Sequence, residues 1–438
     1  MRHFVSALAL GALVGCNDAG ADPHADAGTE FTRTPVDKTV IPFVVSLTGT
    51  LQGEGAEQRR GALVAQQQLN ALGGVLGKPV EIELLDDRSD PEAARELVSA
   101  FAGAPIVLGP TGSPAAVALR NAAPEQLFLS PSATSPVVDE VIAATPFYRT
   151  APSDKLQAKG ISLLATTSED RCFEMSIVYS DDDYGRPIAE NVKLLFSLSN
   201  KVVAMLPVAS TLRDSDYYQR IADSVLAAST RADGNSCQLV ATPATVAAEY
   251  LRAFRRSAES VGPPTVLTGF KTYGAGALRT DEFLTASRQD PSNPASASVA
   301  EGIQVVAPET EPEGTNYSAY RSLYLAQFPN DPIGRSANAY DAVIVAALAL
   351  QAAGPDASAA AVQEALLAVS KVGTAYGPGK IVDALLDVRR GADIDYTGAT
   401  GSLDFDNKGQ VLSDVLVWKI ESGGFHSVGR YRRSDVQN

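Results

Sequence analysis

Cysteine and histidine, the side chains that most often carry catalysis or bind transition metals, are scarce in this chain of 438 residues. The six residues of these two types are Cys16, Cys172, Cys237, His3, His24 and His426. A zinc site needs four such ligands close together, and histidine acid–base catalysis needs a histidine within the folded body. The sequence has no histidine between His24 and His426, and no Gly-x-Ser-x-Gly nucleophile motif. We therefore expect no metal, no cofactor and no enzymatic activity.

Small hydroxyl-bearing residues follow two predicted strands at the point where each strand ends. The strand Ile106–Gly109 is followed by Ser113 and Pro114, and the strand Leu127–Leu129 by Ser132, Ala133 and Thr134. Ser113 and Pro114 begin a helix, whose free N-terminal amides bind carboxylates and other anions. Thr134 both donates and accepts hydrogen bonds. The pattern predicts a site for a small polar ligand, and the alternative for Ser113 is an ordinary helix cap.

The charge of the chain excludes two classes of partner. Its formal net charge is −15 and its apolar content is 45%. Negative surface charge repels nucleic acid and anionic lipid headgroups, so neither is expected to bind. The composition is that of a globular protein with room for two or three compact units.

Strands and helices alternate along the body, which predicts parallel sheets covered by helices on both faces. The sequence predicts strands at Thr39–Ser46, Val80–Asp86, Ile106–Gly109, Leu127–Leu129, Glu174–Tyr179, Lys201–Pro207, Gln238–Ala241 and Thr265–Thr268. Because the same alternation of strands and helices begins again after about residue 150, we expect two Rossmann-like lobes with a ligand cleft at the carboxyl ends of the strands. Further along, Ser402–Phe405 and Val411–Ile420 flank a turn at Asp406–Gly409, which predicts a hairpin.

The N-terminus reads as an export signal. Arg2 precedes about eleven apolar or small residues, too few to span a bilayer. The run ends in Leu-Val-Gly-Cys16, which resembles the bacterial lipobox and implies lipidation of Cys16 after removal of the preceding peptide. An ordinary signal peptide is the alternative. Residues 17–38 are rich in Ala, Gly and Asp and predict a flexible tether, so the body is expected outside the cytoplasm, anchored to a bacterial membrane.

Several motifs resemble one known family in combination. They are NALGGVLGKPVEIELLDDRSDPEAA, VLGPTGSPAA, LSPSATSP, FYRTAPSD, VYSDDDYGR, ANAYDAVIVAA and TGSLDFDNKGQ, and they span roughly residues 40–420. These stretches are similar to the type I periplasmic binding proteins of branched-chain amino acid transporters. The resemblance implies a monomeric Venus-flytrap receptor that passes a small ligand to an ABC permease and its ATPase. A sensor, or a lipoprotein that activates cell-wall synthases, is the alternative on the same fold.

The resemblance also implies roles for individual residues. Positions equivalent to Ser113, Ala133 and Thr134 contact the α-carboxylate and α-ammonium groups of the ligand in the family, and Ser132 lies among them. Tyr184 corresponds to an aromatic residue that closes over the ligand from the second lobe.

One position departs from the family pattern. Amino-acid-binding relatives carry a carboxylate in the second lobe that pairs with the ligand's ammonium, and here Phe270 and Lys271 occupy that stretch. An unpaired buried ammonium is costly, so two solutions are open. In the first, Glu54 supplies the negative charge that pairs with the ammonium. In the second, the ligand lacks an ammonium group, Phe270 stacks on an apolar or aromatic group of the ligand, and Lys271 pairs with an anion. The second is favoured, which predicts weak binding of leucine, isoleucine and valine.

The predicted lobe boundaries give three crossings. The first lobe comprises residues 39–150 and 308–398, and the second comprises 151–307 and 399–438. Three crossings make a hinge, and ligand held between the lobes stabilises the closed form.

Cys172 and Cys237 lie at the starts of two strands of the second lobe that are neighbours in a doubly wound sheet. An extracytoplasmic location favours oxidation, which predicts a disulfide between them. Two buried reduced cysteines are the alternative.

Overall fold

The computed structural model of this protein describes residues 37–140, 146–167, 171–229, 235–261, 270–290, 292–293, 295–308 and 314–436. The predicted signal peptide, the predicted lipidation site Cys16 and nearly all of the predicted tether lie outside the described residues, as does the strand predicted at Thr265–Thr268.

The first part of the body is a parallel sheet with helices on its faces. Its elements are β1 (Thr39–Val45), α1 (Gln52–Ala71), β2 (Val80–Asp86), α2 (Pro91–Glu96), β3 (Val107–Leu108), α3 (Ser113–Ala122), β4 (Phe128–Ser130) and β5 (Phe147–Arg149). The strands lie in the order β2-β1-β3-β4-β5 and pair in parallel throughout. Because β1 is covered on both sides, its residues from Ile41 onward are buried, and its run is almost continuously apolar.

The second part repeats the pattern. Its elements are α4 (Asp154–Thr167), β6 (Glu174–Ser180), α5 (Gly185–Phe196), β7 (Lys201–Val208), α6 (Ser215–Ala228), β8 (Ser236–Ala241), α7 (Ala244–Val261), β9 (Lys271–Gly274), α8 (Asp281–Ala286) and β10 (Gln304–Pro308). Strands β7, β6, β8, β9 and β10 are neighbours in that order, all parallel.

The chain then returns to the first core before it ends in the second. The returning elements are α9 (Thr315–Leu325), α10 (Ser336–Ala353), α11 (Ala359–Ala368), β11 (Thr374–Tyr376), α12 (Ile381–Arg389), β12 (Ile394–Gly398) and β13 (Gly401–Ser402). Helix α10 packs along α1. Among the described helices, α10 alone is long and apolar enough to cross a membrane, and 83% of that stretch is buried inside the protein. It is therefore the central core helix of the first lobe.

The terminal strands β14 (Val415–Glu421) and β15 (Gly424–Tyr431), followed by α13 (Arg433–Val436), complete the second lobe. Strand β14 pairs antiparallel with both β10 and β15. The molecule is thus an α/β protein of two lobes, as the sequence predicts, and the chain passes between them after β5, after β10 and before β14.

The third crossing lies later than the predicted boundary at residues 398 and 399. Leu403, Phe405 and Val411 pack in the apolar core of the first lobe, whereas Val415 packs in that of the second. The chain therefore changes lobes between residues 411 and 415. The boundary between the lobes is therefore set by the core in which these apolar side chains are buried. No turn in the sequence marks it.

The hairpin predicted between Ser402–Phe405 and Val411–Ile420 is wrong. The turn itself forms, since Asp406 accepts backbone hydrogen bonds from Lys408 and Gln410 and Gly409 has φ +73°. The flanking strands, however, pair elsewhere: β13 with β12, and β14 with β10 and β15. The turn lies at a crossing between the lobes, so its two arms belong to different sheets.

The predicted disulfide between Cys172 and Cys237 is present in the structure. It joins the entries of two neighbouring strands, because Cys237 of β8 lies opposite Met175 of β6 in the parallel register. Both cysteines are buried in the second lobe.

Candidate ligand site between the lobes

A cavity lies between the lobes at the carboxyl ends of the parallel strands, and it encloses about 920 Å³ of empty space including its opening to solvent. The lining residues that the following paragraphs use are Ser46, Glu54, Asp87, Thr111, Gly112, Ser113, Ala115, Ser132, Thr134, Asp154, Gln157, Asp182, Tyr184, Gly276, Ala277 and Arg335. Most of them directly follow strands β1 to β6 and β9. The position of the cavity is the one expected of a ligand site in open parallel sheets.

A closed network of hydrogen bonds holds the floor of the cavity. The Gln58 amide donates to the Ser132 hydroxyl at 2.7 Å, and that hydroxyl donates to the Thr111 carbonyl at 2.7 Å. The Thr111 hydroxyl donates to the Gln58 amide oxygen at 3.0 Å and accepts from the Ser46 amide at 3.1 Å. The Ser132 hydroxyl thus accepts one hydrogen bond and donates one within the protein, and these bonds hold the surrounding loops in place.

The N-terminus of α3 faces the cavity. Gly112 caps this helix without a side-chain hydrogen bond, and Gly112, Ser113 and Ala115 all line the cavity. The Ser113 hydroxyl accepts a hydrogen bond from the Ser135 amide at 3.2 Å, which joins the two hydroxyl-bearing loops. Backbone amides at the positive end of a helix form a binding surface for a carboxylate.

Of the carboxyl groups that line the cavity, Asp154 and Glu54 are the two whose pKa the charge of Arg335 affects. Asp154, the first residue of α4, accepts a hydrogen bond from Gln157 at 3.3 Å through Oδ1, while its Oδ2 is buried without a well-formed partner. Burial raises the pKa of Asp154 to about 6, although Thr134 and Arg335 act in the opposite direction. Burial raises the pKa of Glu54 to about 7, against the attraction of Arg335.

The cation of the site is Arg335, which directly precedes α10. It is 7% exposed and donates to the Pro308 carbonyl at 3.0 Å, at the second crossing between the lobes. Its positive charge partly offsets the rise in pKa that burial causes at Glu54 and Asp154. The cavity therefore presents the buried Asp154 carboxyl, the half-buried Glu54 carboxyl, one guanidinium and a helix N-terminus, a set that matches a zwitterionic ligand.

Tyr184 covers the cavity from the second lobe. Its hydroxyl accepts a hydrogen bond from the Ala277 amide at 3.1 Å, and burial raises its pKa well above 10. Asp182 of the preceding loop caps α5 by accepting from the Tyr184 and Gly185 amides. The ring thus stays neutral and is held in place at the cavity wall.

The structure brings five of the predicted site residues to the cavity: Glu54, Ser113, Ser132, Thr134 and Tyr184. Ala133 is not among the lining residues. It is fully buried, its amide donates to the Ser130 hydroxyl at 2.8 Å and its carbonyl accepts from Arg149 at 3.2 Å. It therefore supports the loop from behind.

The structure does not bring Phe270 and Lys271 to this cavity. Lys271 begins β9 instead of following a strand, so both residues lie at the amino edge of the sheet, away from the cavity. The Phe270 ring packs on Phe254, with 5.1 Å between the centroids, and borders a separate depression. The loop after β9 brings Gly276 and Ala277 to the cavity, and neither is acidic.

Sequence reasoning missed Asp154, Gln157, Asp87 and Arg335. Asp154 ends the FYRTAPSD motif, which is a usable signal, and Asp87 follows a predicted strand. Arg335 has no such signal, since its link to Asp154 depends on the return of the chain to the first lobe.

Comparisons with known proteins agree with this architecture. The family described as Receptor family ligand binding region matches residues 58–422. The chain belongs to this family. Its solved structural neighbours include the leucine-binding protein LivK of Thermotoga maritima, with a TM-score of 0.71, 16% identity and coverage of 91% of this chain and 99% of that one. They show that the fold is that of the type I periplasmic binding proteins.

Two other structural neighbours carry bound ligands. LivJ of Streptococcus pneumoniae, in complex with isoleucine, has a TM-score of 0.67 and 20% identity over 90% of this chain and 100% of that one. A solute-binding protein of Rhodopseudomonas palustris, in complex with 3,4-dihydroxybenzoic acid, has a TM-score of 0.67 and 16% identity over 90% and 98%. The fold therefore accommodates both amino acids and aromatic acids.

Two curated relatives resemble this chain in sequence. The Leu/Ile/Val-binding protein BraC3 of Rhizobium johnstonii is 27% identical over 182 residues, which cover 40% of this chain and only 48% of that protein. The chemotactic signal transduction substrate-binding protein BasB of Halobacterium salinarum is 25% identical over 397 residues, or 86% of each chain.

Proposed function

We propose that this protein is an extracytoplasmic receptor that captures an α-amino acid, or a close relative with a free ammonium group, between its lobes. The observation that carries this proposal is the buried Asp154 carboxyl at the cavity, with Oδ2 lacking a well-formed protein partner. An ammonium group supplies the missing donor and the compensating charge.

The rest of the site supports the same ligand class. The N-terminus of α3 and Arg335 provide positive potential for the ligand's carboxylate, while Asp154 and Glu54 provide negative potential for its ammonium. An aromatic acid without an ammonium group would leave both carboxyl groups uncompensated. The prediction of weak leucine binding rests on the missing carboxylate of the second lobe; Asp154 and Glu54 supply carboxyl groups at the same cavity instead, which supports a ligand with an ammonium group.

A thermal-shift screen followed by calorimetry tests the ligand class. It compares the standard amino acids with leucine lacking its amino group (4-methyl-2-oxopentanoate), N-acetyl-leucine and 3,4-dihydroxybenzoate. We expect at least one free amino acid to raise the melting temperature, and its deaminated and acetylated forms to leave it unchanged. Binding of the aromatic acid with no response to any amino acid would contradict the proposal.

We further propose that the mature chain is a lipoprotein anchored through Cys16 on the outer face of a bacterial membrane. The support is the basic, apolar and Val-Gly-Cys order of the first sixteen residues. Intact mass of membrane-extracted protein is expected to show loss of residues 1–15 and an added acyl-glyceryl group. Release of the Cys16→Ala variant as soluble protein is the matched control, and an unchanged membrane fraction would contradict lipidation.

The partner we propose is an ABC permease with its ATPase, since the relative BraC3 is named for binding leucine, isoleucine and valine. The second candidate is a sensory role, which the relative BasB favours by its name and its coverage of 86% of both chains. Ligand-dependent cross-linking in intact cells separates the two. Capture of a permease supports transport, and capture of a transmembrane signal transducer supports sensing.

We propose that the protein binds its ligand without chemical change. Among the residues that the structure describes, the lining of the cavity includes neither histidine nor cysteine. Recovery of the bound amino acid unchanged by mass spectrometry after prolonged incubation is the expected result, and a new product would refute it.

A further inference from the structure

Helix α1 begins without a cap of its own, although it is a helix of 20 residues beside the ligand cavity. The residue at its N-cap position is Leu51, which makes no side-chain hydrogen bond to the helix. Helices usually place Ser, Thr, Asp or Asn there, because the first amides have no partner within the helix. The acceptor for α1 must therefore come from elsewhere.

It comes from the opposite lobe. Glu282, in the first turn of α8, accepts a hydrogen bond from the Gly53 amide at 3.2 Å and another from the Gln52 side chain at 3.2 Å. A carboxylate at the positive end of a helix is also favoured by the helix dipole. One side chain of the second lobe thus caps a helix of the first.

Gly53 permits this approach. The three atoms nearest to a Cβ added at Gly53 all belong to Glu282, and they lie closer than van der Waals contact allows. Since those atoms are in the other lobe, a methyl group at this position would disturb the contact between lobes and leave the interior of the first lobe unaffected.

The contact is adjacent to the ligand cavity but separate from it. Glu54, the next residue of α1, lines the cavity, whereas Gln52, Gly53 and Glu282 do not. On the other side, the loop that leads to α8 contributes Gly276 and Ala277 to the cavity wall. The cap therefore links the two elements that must approach each other when the cleft closes.

We propose that Glu282 is a positioning residue that holds the lobes together by capping α1 across the cleft, so that affinity depends on a side chain that does not touch the ligand. Because the cap forms only when the lobes are together, it stabilises the closed form even without ligand. The part of this proposal that concerns ligand affinity rests on the proposed function. The part that concerns the distance between the lobes does not.

The first experiment needs no ligand. Spin or dye labels on cysteines introduced at Lys371 of the first lobe and Glu190 of the second report the distance between lobes in the otherwise intact protein. We expect Glu282→Ala and Gly53→Ala to shift the ligand-free distribution toward longer distances. Gly379→Ala adds the same methyl group where only the ordinary 3.6 Å contact with Ala319 results, and should match the parent protein.

The second experiment uses L-leucine as the probe in calorimetry. Loss of the cap should weaken leucine binding by about 5- to 30-fold in Glu282→Ala, with the cooperative melting of the ligand-free protein retained. Glu282→Gln, which keeps one acceptor, should lie between this variant and the parent.

The outcomes separate the two proposals. Interlobe distances and leucine affinity that are both unchanged in Glu282→Ala and Gly53→Ala would overturn the role of Glu282. If leucine binds neither the parent nor the variants, the ligand class is wrong for leucine, while the ligand-free distances still decide whether the cap holds the lobes together.

Discussion

The two walls of the cavity differ in chemistry. The first lobe presents most of the charged groups: the N-terminus of α3, Glu54 and Arg335, together with the Thr134 hydroxyl and with Asp154 at the first crossing. The second lobe presents Tyr184, Gly276 and Ala277; the Tyr184 hydroxyl accepts a hydrogen bond from the Ala277 amide, and the Gln157 side chain accepts one from the Gly276 amide at 2.8 Å. The difference indicates that the first wall anchors the ligand and the second excludes water around it.

Removing the charge of Asp154 should have the largest effect. Asp154→Asn keeps the shape and the contact with Gln157 but leaves the ligand's ammonium without its buried partner. Breaking such a pair costs about 3–5 kcal/mol, so affinity for the amino acid identified in the screen should fall by more than about 100-fold in calorimetry. Asp216→Asn, an exposed change in α6, is the control. An equal effect of both substitutions would remove Asp154 from the site.

Thr134→Ala should have the next largest effect. The hydroxyl lines the cavity and hydrogen-bonds to the Asp154 carboxyl, so its loss removes a hydrogen bond to the group that we propose to pair with the ligand's ammonium. The cost of about 1.5–3 kcal/mol corresponds to at most a roughly 10- to 150-fold loss of affinity, with cooperative melting retained. Thr134→Ser retains the hydroxyl and should bind nearly as the parent does. Unaltered affinity in Thr134→Ala would place the ligand elsewhere.

Affinity should fall as the pH is lowered from about 8 to 5.5. Burial raises the pKa of Glu54 to about 7 and that of Asp154 to about 6, so both carboxyls take up protons in this range. An ammonium ligand binds the ionised form, and each proton that must be released weakens binding by at most about tenfold per pH unit below the pKa. Glu54→Gln should remove the part of the pH dependence near pH 7. A pH-independent affinity would contradict ammonium binding by these acids.

The smallest effect is expected on the covering wall. Tyr184→Phe keeps the ring over the ligand and loses the hydrogen bond from Ala277, worth about 0.5–1.5 kcal/mol, or roughly 2- to 12-fold in affinity. Tyr179→Phe removes a hydroxyl from β6 outside the cavity lining and serves as the control. A loss as large as that in Asp154→Asn would show that the second lobe also anchors the ligand, and the contrast between the walls would fail.

The sequence by itself determined most of the local structure. The alternation of elements and the neighbouring strands at whose starts Cys172 and Cys237 lie both follow from short-range patterns, and the structure confirms them. Ser113 and Thr134 could be placed in the cleft for the same reason, whereas Tyr184 was placed there by the resemblance to the family. Residues directly after parallel strands share one edge of a sheet whatever the distant packing is.

Only the tertiary structure decided the rest. The start of β9 depends on its register with β8, and this register moves Phe270 and Lys271 to the opposite edge from the ligand. The late third crossing depends on which core buries Leu403 and Phe405. Arg335 reaches Glu54 and Asp154 because the chain returns to the first lobe after β10. Register, lobe assignment and charge pairing are set by contacts between distant segments, which a local pattern of residues does not contain.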